Sequence, residues 1–186
     1  AFELGRLDFI NNVQLFTRST EKAIGYCLDM NQARLRDRND IFKPVKEAAS
    51  LFKNCSSIFL CARDENAIIN PNLPERWRKI GSHLKIVEHY AKLACQLRYK
   101  GTIFVVTNPV DMLAFAFYFY GQNSHHPLRS HQIFGVGLEL DFARGLFFLN
   151  TSNPDAFTIY GNHSDTLQIK KVKGVKELLD RITNAS

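Results

Sequence analysis

The chain has 186 residues, 45% of them hydrophobic, and a formal net charge of +6. That length and apolar content suit one globular domain, or one domain with part of a second, around a real core. No apolar run approaches the roughly 20 residues needed to span a bilayer, and the basic residues of RLRDR, ERWRK, LRYK and KKVKGVK form no stripe interleaved with aromatics, which argues against nucleic acid.

In chain order, the opening AFELGRL reads like the middle of a helix, so residues upstream of Ala1 are expected. NNVQLFT follows as a strand, and EKAIGYCLDMNQA as a helix with Ala23, Ile24, Cys27, Leu28 and Met30 at helical spacing. SSIFLCA is a strand, and IGSHLKIVEHYAKLACQL a helix with a broad apolar face. TIFVVTN is the next strand, VDMLAFAFYFY a largely buried helix, HQIFGVG a short strand, and LDFARGLFFL a helix beginning near Asp141. This β-α-β-α-β-α-β order implies a parallel sheet joined by crossover helices, because parallel neighbours need long connections.

Two connections differ from short turns. DENAIINPNLPER, after strand SSIFLCA, is long and rich in Asn and Pro, the composition of a lid or specificity loop. GQNSHHPLRSH carries His125, His126 and His131 without carboxylate or cysteine partners at ligand spacing, so solvated histidines are expected and no metal site. The four cysteines, Cys27, Cys55, Cys61 and Cys95, form no CxxC pair; they read as buried reduced thiols, which suits the cytoplasm, as does the lack of a signal-peptide pattern. The sequons at Asn54, Asn150 and Asn162 are then chance matches.

Why does the β-branched run in GTIFVVTNPVDML stop on Thr107, Asn108 and Pro109? Sheets of parallel strands bind ligands at the strands' carboxyl ends. Three such ends carry polar chemistry here: Thr17 and Arg18, Arg63 and Asp64, and Asn108. Asn108 alone reads first as a capping residue of a turn. In LDFAR, Asp141 and Arg144 lie three apart and share a helix face, which by itself denotes an ordinary ion pair. His163, isolated in YGNHSD, is by itself more often a structural or exposed histidine than a catalyst.

Together, VVTNPVDML, GVGLELDFAR and GNHSD occur in the order of VVSNPVD-like, LDSAR-like and GEHGD-like motifs, and the sequence resembles the L-lactate/malate dehydrogenase family. EKAIGYCLDM, ERWRKIGSHLKIV and VKELLDRITNAS resemble further helices of that family, so the resemblance covers nearly the whole chain. It implies an α/β fold: a Rossmann-type parallel sheet with crossover helices over residues 1–137, lacking its first strand and Gly-rich loop, then part of an α+β catalytic domain over residues 138–186. It implies hydride transfer between NAD or NADP and a small 2-hydroxy or 2-oxo acid, in a cytoplasmic homodimer or homotetramer.

The resemblance also implies roles. His163 would carry the proton to or from the substrate oxygen. Asp141 would fix the tautomer of that ring. Arg144 would grip the substrate carboxylate with its planar fork. Arg76, at the end of the long loop, would polarise the reacting carbonyl. Asn108 would hold the substrate oxygen beside the nicotinamide, and Arg63 would lie near the cofactor phosphates.

The departures from the family pattern are specific. No G-x-G-x-x-G stretch occurs in these 186 residues. The acidic residue expected on the adenosine ribose is replaced by Thr17, followed by Arg18, Ser19 and Thr20, which points toward NADP or toward weakened NAD binding. Cys61 stands where a glycine is usual, and Asn162 and Ser164 flank His163 in place of glutamate and glycine. The spacings from Arg144 to His163 and from His163 to VKELLDR are short. These departures leave open a non-catalytic relative retained for binding or assembly, and, more remotely, a sugar-phosphate or glycosidase-like relative using NAD and a metal.

Overall fold

In the computed structural model, the structure describes residues 1, 3–34, 40–64, 66–67, 69–73, 77–161, 167–170 and 174–184. The first element is a single 3-10 turn, Leu4–Arg6, rather than the run of helix expected from AFELGRL. Its Gly5 is buried so close to the Phe42 ring that a Cβ there would stand 2.3 Å from Cζ.

Strand β1 (Val13–Leu15) pairs in parallel with β2 (Phe42–Pro44), in the register Val13 to Phe42. Helix α1 (Thr20–Ala33) makes the crossover and buries Ala23 and Cys27 against Ile41 and Phe42. The far edge of β2 is closed in two ways. Asn31 of α1 donates from Nδ2 to the Phe42 carbonyl (2.9 Å) and accepts from the Phe42 N–H (3.0 Å), while Pro44 has no N–H to offer a neighbour.

The short helix α2 (Ala48–Asn54) leads into a three-stranded parallel sheet, β3 (Ser57–Leu60), β4 (Thr102–Val105) and β5 (Ile133–Gly135), in the order β3-β4-β5. Helices α3 (Ile80–Gln96) and α4 (Val110–Gln122) connect these strands and pack against each other. Their apolar faces meet Ile58, Leu60, Ile103 and Val105 in the largest core cluster. On the opposite face Phe59, Phe104 and Phe134 stand directly across from one another and stack at 4.7 and 5.7 Å.

Apart from the opening helix, the expected strands and helices appear, but β2 and α2 were not anticipated. The parallel strands also fall into two hydrogen-bonded groups, β1-β2 and β3-β4-β5, among the described residues. Helix α5 spans Leu138–Phe148, starting three residues before Asp141. An antiparallel pair, β6 (Thr158–Tyr160) and β7 (Gln168–Lys170), and helix α6 (Val175–Asn184) complete the chain. With α5 they enclose a separate core around Phe157, Leu167, Ile169, Leu178 and Ile182.

The cysteines are all free, but only Cys27 and Cys95 are buried as expected: Cys55 is half-buried and Cys61 is exposed just past the end of β3. His125, His126 and His131 are exposed, as expected. No helix among the described residues is long and apolar enough to cross a membrane.

Candidate functional site

The carboxyl ends of β3 and β4 are tied together by the residues that interrupt the strand pattern. Val106 N–H donates to the Leu60 carbonyl at 3.0 Å. Thr107 Oγ1 reaches the carbonyls of Ala62 at 2.8 Å and Leu60 at 3.3 Å. Arg63, exposed and next to Ala62, is thereby held in the same loop cluster as Asn108.

Asn108 itself is fixed through its backbone. His83 Nδ1 lies 3.0 Å from the Asn108 carbonyl oxygen; a carbonyl only accepts, so the proton sits on Nδ1. The Asn108–Pro109 peptide is cis, and Pro109 caps α4. The Asn108 side chain is exposed and makes no hydrogen bond to any described residue. Its backbone is pinned while its side chain is exposed, so among the described residues the side chain caps no turn.

His83 escaped the sequence reading. It lies in the first part of α3, 7% exposed, and its Nε2 is buried with no hydrogen-bond partner among the described residues. The signal was present: His83 shares a helix face with buried Val87, Ala91 and Ala94, so a polar ring occupies an otherwise apolar stripe.

At the end of β1, Thr17 Oγ1 donates to the Ser19 carbonyl. Ser19 caps α1 by accepting from Lys22 N–H, and its hydroxyl donates to Glu21 Oε2 at 2.8 Å. Two of the hydroxyls expected to meet a phosphate are therefore engaged locally, beside a carboxylate. The Glu21 backbone N–H and the Ser19 hydroxyl hold that carboxyl below its usual range. Arg18 is exposed; burial pushes the Tyr90 phenol on α3 upward, and the Arg18 charge partly opposes this.

On α5, Asp141 is 3% exposed and its Oδ1 lies 3.2 Å from Arg144 Nη1. A carboxylate held this deep needs such a partner, because an unpaired charge there would be strongly disfavoured. Arg76 and His163 lie outside the described residues. Of the long loop that contains Arg76, the described part is locally organised: Asn70 N–H donates to the Arg78 carbonyl and Arg78 Nε to the Leu73 carbonyl.

The structure thus gathers Arg63, Thr107, Asn108 and His83 at one strand-end cluster, Thr17, Arg18 and Glu21 at another, and Asp141 with Arg144 on α5. A hollow on α6, lined by Gly174, Lys176, Glu177, Asp180 and Arg181, contains none of these residues. Its open rim of opposing charges offers no convergent polar set, so the strand ends are the better candidate. Among the described residues no cluster of His, Cys, Asp and Glu is arranged to hold a metal ion.

No family model matches the chain. Its sequence is similar to the L-lactate dehydrogenase of Priestia megaterium, 28% identical over 172 residues that cover 89% of this chain and 50% of that protein. The chain therefore spans about half the length of that curated relative. Among solved structures it resembles malate dehydrogenase from Archaeoglobus fulgidus in complex with NADH, with a TM-score of 0.78 at 20% identity over 99% of this chain and 63% of that one. It also resembles malate dehydrogenase from Plasmodium falciparum (0.74, 16%, 99% and 65%) and the minor L-lactate dehydrogenase from Enterococcus mundtii (0.73, 18%, 99% and 64%). At these identities the structural likeness is one of fold.

Proposed function

We propose that this relative of the L-lactate and malate dehydrogenases interconverts an L-2-hydroxy acid, lactate- or malate-like, and its 2-oxo acid, with NAD(H) as cofactor. The observation that carries this reading is the buried Asp141 paired with Arg144 on α5, in a chain whose sequence follows an L-lactate dehydrogenase over 172 residues. The nicotinamide supplies the hydride when bound, and the chain binds, orients and moves the proton.

Arg144 takes the substrate carboxylate, Asn108 the substrate oxygen, and Arg76 the reacting carbonyl. His163 carries the proton, with its ring held by Asp141. Arg63 serves the cofactor phosphates, and Thr17 and Arg18 flank the adenosine ribose. The residues present fit the two ends of a dinucleotide, through the outward Asn108 amide and the Glu21 carboxylate beside Ser19. A Gly-rich phosphate cradle is not among these 186 residues. Residues 1–137 form the dinucleotide-binding domain and 138–186 belong to the catalytic domain. A second copy would meet α1, whose Ile24 and Leu28 are exposed. The compartment proposed is the cytoplasm.

The rival reading, a non-catalytic relative, draws on Thr17, Cys61 and Ser164 in place of the family's residues. Assaying NADH oxidation with pyruvate and oxaloacetate separates the two. The enzyme reading expects turnover that His163→Asn abolishes while the melting temperature stays within a few degrees. No turnover with either acid, in a folded protein, leaves the binding-only reading.

A further inference from the structure

We infer that His83 is a positioning residue, whose Nδ1–H fixes the Asn108 peptide so that the Asn108 amide is presented to the ligand; this rests on the proposed role of Asn108. Three observations converge. The Nδ1 contact, at 3.0 Å, joins residues 25 apart in sequence and is the link described between α3 and the residue that follows Thr107. Asn108 is exposed and its side chain has no hydrogen-bond partner among the described residues, so nothing within the described chain orients it except its own backbone. The Nε2 of the same ring is buried without a partner among the described residues.

That last feature separates the two roles open to a buried histidine. A core histidine kept for stability satisfies both ring nitrogens, since a buried acceptor without a partner is destabilising. Here one nitrogen is bonded to the strand-end loop and the other has no partner among the described residues. An apolar side chain would fill this stripe of α3, beside Val87 and Ala91, without that cost. The ring is explained by what Nδ1 does to Asn108.

Side-chain isosteres make this testable. Asparagine places an amide N–H where the histidine Nδ1 lies and omits the orphaned Nε2; glutamine carries its amide one atom further out, at the Nε2 position; leucine offers neither. His83→Asn, His83→Gln and His83→Leu are compared with wild type in NADH-dependent reduction of pyruvate and oxaloacetate. Melting temperature and amide hydrogen exchange at Thr107, Asn108 and Val110 are measured alongside.

Asn is expected to retain kcat/KM within a few-fold and to keep exchange slow. Gln and Leu are expected to lose about 100-fold in kcat/KM, the scale of a misplaced substrate contact, with faster exchange at the three amides and little loss of melting temperature. The inference is overturned if Leu matches wild type in turnover and exchange, or if Asn is as impaired as Leu. Should wild type itself show no turnover, the functional reading fails. The exchange series then decides the positioning role alone: equal exchange in all four proteins rejects it, and slow exchange only in wild type and Asn upholds it.

Discussion

Asp141 and Arg144 meet one turn apart on α5, Oδ1 to Nη1 at 3.2 Å, with the aspartate almost wholly buried and the arginine about three-quarters so. An exposed pair at this spacing is worth ~0.3–0.5 kcal/mol. A buried carboxylate is different, because losing a compensating charge costs more there, up to about 3–5 kcal/mol for a fully buried pair. Arg144→Lys keeps a charge near Asp141 but removes the planar fork. If Arg144 grips a carboxylate, the KM for the 2-oxo acid should rise about 10- to 100-fold, the worth of a charged hydrogen bond. NADH affinity and melting temperature should barely change. Steady-state kinetics with calorimetry checks this; lost stability with an unchanged KM makes the pair structural.

What the sequence disclosed tracks how local the physics is. The i,i+3 relation of Asp141 and Arg144 is set by helix geometry alone, so it could be read directly. Helices α1, α3 and α4 carry enough turns for their periodicity to show. Strand β2 has three residues and α2 seven, too few to register a period. The place of His83 in an apolar stripe was legible, but not its role, because its partner carbonyl lies 25 residues downstream and only tertiary packing brings the two together. The local engagement of Thr17 and Ser19 was hidden for the opposite reason: short hydroxyl side chains bond to nearby backbone and neighbours, which leaves no periodic trace in the sequence.

Tyr99 gives an alkaline signature independent of function. It is buried beneath the sheet, its hydroxyl donating to the Thr102 carbonyl. Burial first, then the neighbouring Cys55, pushes its pKa up to about 12. The folded state thus keeps the Tyr99 proton where the unfolded chain, with an ordinary phenol near 10, releases it. Bound protons then favour the native state less as pH rises, and stability contributed by Tyr99 is lost between about pH 10 and 12, on the order of 2 kcal/mol. In Tyr99→Phe that part of the slope should vanish from chemical denaturation measured across this range. An unchanged slope assigns the loss to other groups.

Gly145 is the tightest point of the second core. A Cβ there would come 2.2 Å from Phe157 Cζ and 2.9 Å from two further ring carbons, and Phe157 is itself 2% exposed with no room to retreat. Helix propensity favours alanine over glycine by about 1 kcal/mol, but overpacking costs about 1–3 kcal/mol, so Gly145→Ala should lower stability. Adding Phe157→Leu removes the obstructing ring. The double mutant should then be more stable than the sum of the two single losses implies, a coupling read from a thermal double-mutant cycle. Strict additivity would mean that the ring moves aside freely.

Cofactor choice turns on which charge stands at the end of β1. Thr17 and Ser19 are occupied locally, and Glu21 carries a carboxylate 2.8 Å from the Ser19 hydroxyl, held ionised well into the acidic range by its backbone N–H and that hydroxyl. A fixed negative charge here repels a 2′-phosphate and can accept from a ribose 2′-hydroxyl, as a strand-end acid does in dinucleotide sites. Arg18, one residue before Ser19, works in the opposite sense, but its guanidinium is exposed and screened by solvent, whereas the Glu21 carboxylate is held by the Ser19 hydroxyl. NADH should therefore bind more tightly than NADPH, and Glu21→Gln should narrow the gap several-fold by strengthening NADPH rather than by weakening NADH alone. Fluorescence titration of both cofactors, at two salt concentrations, reads this directly. Tighter NADPH binding by the unaltered chain would give the site to Arg18 instead.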